Sequence, residues 1–175
     1  ILLNSCASVG KKGSPITKNL FANTPKVTTT EKYIKSTKES WNQSYDKFKG
    51  KGKIVMLNLL KYKSRADYTG IEVADIQKDK TGKETYQYYL KQVENIFDKT
   101  KVARILYYGE SQDFLIGPQP EKWDAVILVE YDSMDAFVQF VDSDAYKTIT
   151  GHRKASLEDS RLLPASNYNL LDVKK

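Results

Sequence analysis

A chain of 175 residues with 40% hydrophobic and 29% charged residues has the balance of one globular domain with room for a tail. Its formal charge of +6 is lopsided: residues 1–101 hold 20 Lys/Arg against 10 Asp/Glu, and residues 102–175 hold 8 against 12. Only four of the basic residues are arginines, and arginine supplies the planar fork suited to phosphate and base edges, so the excess reads as a solvated lysine surface with no nucleic-acid footprint.

Other chemistries are excluded by count and spacing. One cysteine and one histidine rule out an internal disulfide and argue against a Cys/His zinc centre. The chain has no Asp-spaced loop with a turn glycine, no phosphate loop, no dinucleotide fingerprint and no G-x-S-x-G elbow. Neither a metal nor an organic cofactor is expected.

In chain order, the first element is ILLNSCASVGKKGSP. Leu3-Asn4-Ser5-Cys6 resembles a bacterial lipoprotein processing site, with Ile1–Leu3 as the end of an apolar signal segment. Residues 1–30 then read as a leader and flexible tether, rich in Ser, Thr, Lys, Gly, Pro and Asn. On this reading Cys6 is lipidated and anchors the protein in the bacterial cell envelope; unprocessed, the protein is secreted or periplasmic, and Cys6 is a free thiol. Thr28-Thr29-Thr30-Glu31 has capping-box spacing. It opens a helical extension over residues 31–50, with Ile34, Trp41, Tyr45 and Phe48 on one face and Gly50 and Gly52 ending it.

Residues 51–165 carry the main domain. Ile54–Leu60 is a strand apolar on both faces except at Asn58. A long loop runs from Lys61 to about Gly82 and is either mobile or lid-like. The helix over 83–99 stacks Tyr86, Tyr89, Leu90, Val93, Ile96 and Phe97. Ala103–Glu110 and Phe114–Gly117 read as two strands around Ser111–Asp113, and Trp123–Tyr131 as a long strand. Ser133 caps a helix striped by Met134, Phe137, Phe140 and Val141. Ser143 and Asp144 cap another, running to about Glu158. Leu162–Pro164 closes as a short edge strand, and residues 166–175 form a tail.

This order gives an α+β, ferredoxin-like β-α-β-β-α-β fold with an extra N-terminal helix. The strands are apolar on both faces, yet helices cover only one face of such a sheet. A second copy covering the other predicts a homodimer closed as a dimeric α/β barrel. The segments MLNLLKY (Met56–Tyr62), ARILYYGE (Ala103–Glu110), WDAVILVEYDSMDAF (Trp123–Phe137) and HRKASLEDSRLLP (His152–Pro164) resemble the bacterial domain family of unknown function numbered thirteen-thirty, in the dimeric α/β-barrel superfamily. The resemblance covers about residues 52–164. The chain departs from it at Asp132, where family members commonly carry proline. It implies a fold and a dimer and carries no activity with it.

Several residues could carry chemistry. Asn58 either orients a ligand inside the barrel or bonds neighbouring backbone. Glu130 shares a strand face with Asp124, Val126 and Leu128. Desolvation there would raise its pKa and make it a general base, unless the strand end simply reaches solvent. His152 offers proton transfer near neutral pH or a structural role. Arg153 offers an anion site or an ion pair with Glu158 or Asp159. Tyr62 and Tyr131 stand among tyrosines that line an apolar pocket or pack with their hydroxyls at the surface. Two readings of function follow: a membrane-tethered small-molecule binder or enzyme using Asn58, Glu130, His152 and Arg153, or a non-catalytic lipoprotein acting as an interaction scaffold.

Overall fold

A computed structural model describes residues 31–166. Its elements are α1 (Lys38–Phe48), β1 (Ile54–Tyr62), α2 (Gly82–Thr100), β2 (Ala103–Glu110), β3 (Ala125–Tyr131), α3 (Met134–Asp142), α4 (Asp144–Ser156) and β4 (Leu157–Ser166). The four strands form one antiparallel sheet in the order β2-β3-β1-β4, the ferredoxin-like arrangement. The helix between β3 and β4 is divided at Ser143, which both ends α3 and caps α4.

Strand alternation sorts side chains by layer. Ile54, Met56 and Leu60 of β1 and Ala125, Ile127, Val129 and Tyr131 of β3 are buried under the helices. The intervening Val55, Leu57, Leu59, Val126, Leu128 and Glu130 point to the opposite face and are only partly covered. On the helix side, Tyr86, Tyr89, Leu90, Val93 and Phe97 of α2 meet Met134, Phe137 and Phe140 of α3 in one core. Each fully buried large apolar side chain contributes about 1.5–3 kcal/mol. Aromatic rings dominate the meeting point: Phe140 lies 4.6 Å from Tyr146 and 5.0 Å from Phe97, and Tyr131 lies 5.1 Å from Phe137.

Three expectations need correction. The first helix begins at Lys38, capped by Thr37, whose side chain and that of Ser40 exchange capping bonds. Residues 31–36 are an irregular strap with a bend at Ile34 and Lys35 instead, and Thr28–Thr30 lie outside the described residues. The strap is non-helical because tertiary bonds hold it open: Tyr33 N donates to Asp159 Oδ1 at 2.7 Å, and Ser160 N donates to Tyr33 O at 3.0 Å.

Phe114–Gly117 is not a strand. It pairs with nothing, and Leu115 and Ile116 are 96% and 92% exposed. β2 pairs only with β3 among the described residues and is an outer edge of the sheet; the 114–117 segment does not add to that edge and lies in an irregular loop instead.

β4 is ten residues long, not three, and α4 stops at Ser156, before Glu158. Its register against β1 runs from Tyr62–Leu157 to Ile54–Ser166 with one irregularity. An edge strand tolerates polar residues, and it tolerates Pro164 because proline removes no bond that the sheet needs there.

The loop over 63–81 is tied down. Lys63 N and Asp67 N donate to Ser156 O and Ala155 O, both at 2.9 Å, and Ala66 N donates to Lys80 O at 2.9 Å. The loop therefore rests on the C-terminal end of α4 and leads into α2 through the capping box of Thr81 and Glu84.

Candidate functional site

The sheet and helix layers do not close fully on each other. Between them lies a cavity of about 580 Å³, within the usual range for small-molecule sites. Met56, Asn58, Ile105, Ile127 and Val129 form its floor, and Tyr86, Tyr89, Leu90, Val93 and Phe97 of α2 its roof. Tyr131, Phe137 and Phe140 close one end, Tyr146 and Arg153 of α4 another, and the strap over 33–36 walls the mouth.

Three of the sequence-derived candidates meet here: Asn58, Tyr131 and Arg153. Asn58 donates from Nδ2 to Met56 O at 3.1 Å, and its carbonyl oxygen has no partner among the described residues. Arg153, half-buried, donates to Ile34 O at 3.1 Å and to Ser160 Oγ at 3.3 Å. The ion pair with Glu158 or Asp159 does not form: those carboxylates take Lys32 and Arg161 instead.

The tyrosine hydroxyls are the informative polar groups. Tyr86, Tyr89 and Tyr131 are 2%, 6% and 4% exposed. The Tyr89 and Tyr131 hydroxyls make no hydrogen bond among the described residues, and that of Tyr86 lies beside Arg153. Yet the one side-chain polar atom both sealed and unpartnered among those residues is Thr85 Oγ1. The hydroxyls therefore reach open space, and the space they line is the cavity. Burial pushes all three pKa values up, so they face it as neutral donors and acceptors at physiological pH.

The other candidates lie elsewhere. His152 is 1% exposed and sits under the 63–81 loop. Its Nε2 faces Asp75 Oδ1 at 3.2 Å and its Nδ1 faces the Tyr68 hydroxyl at 2.7 Å. The carboxylate can only accept, so Nε2 donates to it, and in the neutral tautomer this leaves Nδ1 to accept from the Tyr68 hydroxyl. Tyr88 donates to the other Asp75 oxygen, and that bond first, then the His152 contact, holds the Asp75 carboxyl below the usual range. Gly151, next to it, has space only for hydrogen, because Val73 and Ile71 of the loop pack where a Cβ would stand. Together these contacts make His152 a pin for the loop, with both ring nitrogens used.

Glu130 lies on the far face of the sheet, between Lys53 at 3.1 Å and Arg104 at 2.9 Å. The expected upward pKa shift is reversed. The Lys53 bond, assisted by Arg104, outweighs desolvation and holds the carboxyl below its ordinary value, which leaves a poor general base near neutral pH. Its stabilising effect is complete above the unfolded pKa of about 4.3 and is lost as pH falls through the depressed folded value. Glu130→Gln should therefore flatten the acid limb of a Tm-against-pH curve; an unchanged limb removes this assignment.

Tyr62 is outside the cavity lining, its hydroxyl 3.0 Å from that of Tyr108 and its ring 5.6 Å from that of Tyr86. Asp124 accepts from Tyr62 N at 2.6 Å, a bond that fastens the end of β1. The four residues of the enzyme reading thus divide: Asn58 and Arg153 line one cavity, Glu130 faces the opposite side of the sheet, and His152 is sealed under the loop. Sequence reasoning missed Tyr146 and the strap. Tyr146, Ile149 and Arg153 follow helical spacing and could have been found; the strap had no local signal.

The fold and the cavity define an α+β, ferredoxin-like protein with a partly open, mostly apolar pocket between its layers. The chain belongs to the family described as "Domain of unknown function (DUF1330)", whose model matches residues 73–164. Among solved structures it resembles the RPA0582 protein of unknown function from Rhodopseudomonas palustris, at 32% identity and TM-score 0.66 over 79% of this chain and 99% of that one. The methylated RPA0582 protein matches at 32% identity and TM-score 0.68, over 79% and 97% of the two chains. A dimeric protein of unknown function with a ferredoxin-like fold from Bacteroides fragilis matches at 14% identity and TM-score 0.44, over 69% and 99%. No curated protein matches the chain.

Proposed function

We propose that this protein binds a small, largely apolar molecule in the cavity between its sheet and helices. The observation that carries this reading is the set of buried tyrosine hydroxyls at Tyr89 and Tyr131, which have no partner among the described residues and open onto that space. A buried hydroxyl without a partner costs on the order of 1–3 kcal/mol, and a ligand with a polar group, or water, removes the cost. The scaffold reading gives the cavity no purpose. Gently ionised protein, purified without detergent, should carry an additional small mass that disappears on denaturation. An empty protein that also shows no thermal stabilisation by any member of a broad metabolite library would sink the reading.

We also infer a homodimer in which the outer faces of two sheets pack into one α/β barrel. Its support is the apolar composition of that face, where Leu57 sits in register between Leu128 and Leu163 and Leu163 and Tyr107 are 60% and 52% exposed. Such a contiguous patch is unusual on a monomer.

The tether is a third part of the proposal and rests on Leu3-Asn4-Ser5-Cys6, which lies outside the described residues. No helix among the described residues is long and apolar enough to cross a membrane. Cys6→Ser, expressed from the natural reading frame, should shift the protein from the membrane fraction to the soluble fraction and abolish labelling by radioactive fatty acid. Equal fractionation of both forms would remove the anchor.

A further inference from the structure

The charge of the cavity wall is one-sided. Lys35, Arg153, Lys154 and Arg161 line it and, among the described residues, no Asp or Glu does, in a chain with 22 acidic residues. Three of these cations are accounted for. Arg161 is neutralised by Asp159 at 2.7 Å and lies over the rings of Tyr33 and Trp123. Lys35 is exposed and Lys154 is half-buried, so both keep access to water.

Arg153 is different. It makes no ion pair among the described residues; its two hydrogen bonds go to neutral acceptors, Ile34 O and Ser160 Oγ. Its guanidinium is always protonated and carries five N–H donors in a rigid fork, of which those two bonds leave several free. Around it stand the hydroxyls of Tyr86, Tyr89 and Tyr146. Arg153 is half-buried like Lys154, but burial is the largest single influence on its guanidinium; a cation partly withdrawn from water beside aromatic walls, without a counter-ion among the described residues, is better stabilised once an anion completes it.

We propose that the molecule bound in the cavity is a monocarboxylic acid with an apolar body, its carboxylate held by Arg153 and neighbouring tyrosine hydroxyls. This rests on the cavity-binding reading above. A single uncompensated cation matches a single negative charge, whereas a phosphate dianion would bring an excess charge into the same wall. Guanidinium and carboxylate pair through two parallel N–H···O bonds. The body of the ligand lies along Phe97, Ile127, Val129 and Phe140, which offer it no polar contact. Lys35 and Lys154 at the mouth attract the anion from solution.

The test uses the full chain and matched pairs of probes: octanoic through tetradecanoic acids, 3-phenylpropionic acid and 2-naphthoic acid, each against its primary alcohol, by calorimetric titration. At least one acid should bind about tenfold or more tightly than its alcohol, the advantage of a charge-assisted bond. Arg153→Gln should bring the two within about twofold, and Arg153→Lys should retain part of the preference, since it keeps the charge and loses the fork. Because Arg153 also holds the strap, Tyr89→Phe serves as a second variant: its hydroxyl stands beside Arg153, and its loss should weaken acid binding while leaving Tm near wild type. If acids and alcohols bind alike and Arg153→Gln changes nothing, the carboxylate inference fails while cavity binding survives. If no probe binds, both fail.

Discussion

Gly82→Ala should lower the melting temperature by roughly 10 °C, from a destabilisation of about 3 kcal/mol at 2–4 °C per kcal/mol for a chain of this size. Gly82 is the first residue of α2, and its φ is unremarkable; the constraint is space. A Cβ built there would stand 2.4 Å from Ser156 O, 2.5 Å from Lys63 O and 2.7 Å from Lys63 N. All three are backbone atoms, so no side chain can swing away. The same crossing carries the bonds from Lys63 N to Ser156 O and from Gly82 N to Lys63 O, which join the end of β1, the start of α2 and the junction of α4 with β4. Alanine in a helix is worth about 1 kcal/mol over glycine, and that gain is smaller than the cost of opening the crossing. Thermal unfolding followed by circular dichroism decides it: a Tm equal to or above wild type would show that the backbones part freely.

Leu57→Arg should convert the proposed dimer to a monomer with its fold intact. Leu57 lies at the centre of the outer sheet face, opposite Leu128 on one side and Leu163 on the other. In a two-fold dimer the substitution enters twice. Each buried guanidinium without a partner carries an effective cost of several kcal/mol, enough to dissociate an interface of ordinary size at micromolar concentration. In the monomer the same position is open to water, so circular dichroism and Tm should change little. Light scattering coupled to gel filtration should show half the wild-type mass. A wild type that already runs as a monomer, or a variant that remains a dimer, defeats the barrel assembly.

Much of the fold was legible in the residues. β2 was bounded as Ala103–Glu110 and is found there. The stripe of Tyr86, Tyr89, Leu90, Val93 and Phe97 is buried as read, because helical spacing and burial of a single face are the same fact. Ser133 and Ser143 cap α3 and α4 by accepting from the backbone N–H three residues on, a signal contained within one turn. What failed had competing local signals. Thr30 and Thr37 are both good caps, and the choice of Thr37 is made by Asp159 and Ser160, more than a hundred residues away, which hold Tyr33 in the strap. Phe114–Gly117 has the apolar residues of a strand and pairs with no strand among the described residues, though the outer edge of β2 is open. β4 looks too polar for a strand, and it forms because β1 presents a free edge along its whole length.

The candidate site divides along the same line. Composition and order were enough to determine an α+β ferredoxin-like chain and its inward-facing residues, and to single out Asn58, Tyr131, His152 and Arg153 as candidates, since each of these is a matter of residue type and local period. The roles of adjacent His152 and Arg153 were decided only by packing. One step along a helix turns a side chain by about 100°; here that step takes His152 to Tyr68 and Asp75 beneath the loop, and Arg153 into the cavity beside Tyr86. Residue type states what a group can do. Which neighbours withdraw it from water, and whether they supply its counter-charge, depends on contacts distant in sequence, and those contacts exist only once the layers have closed.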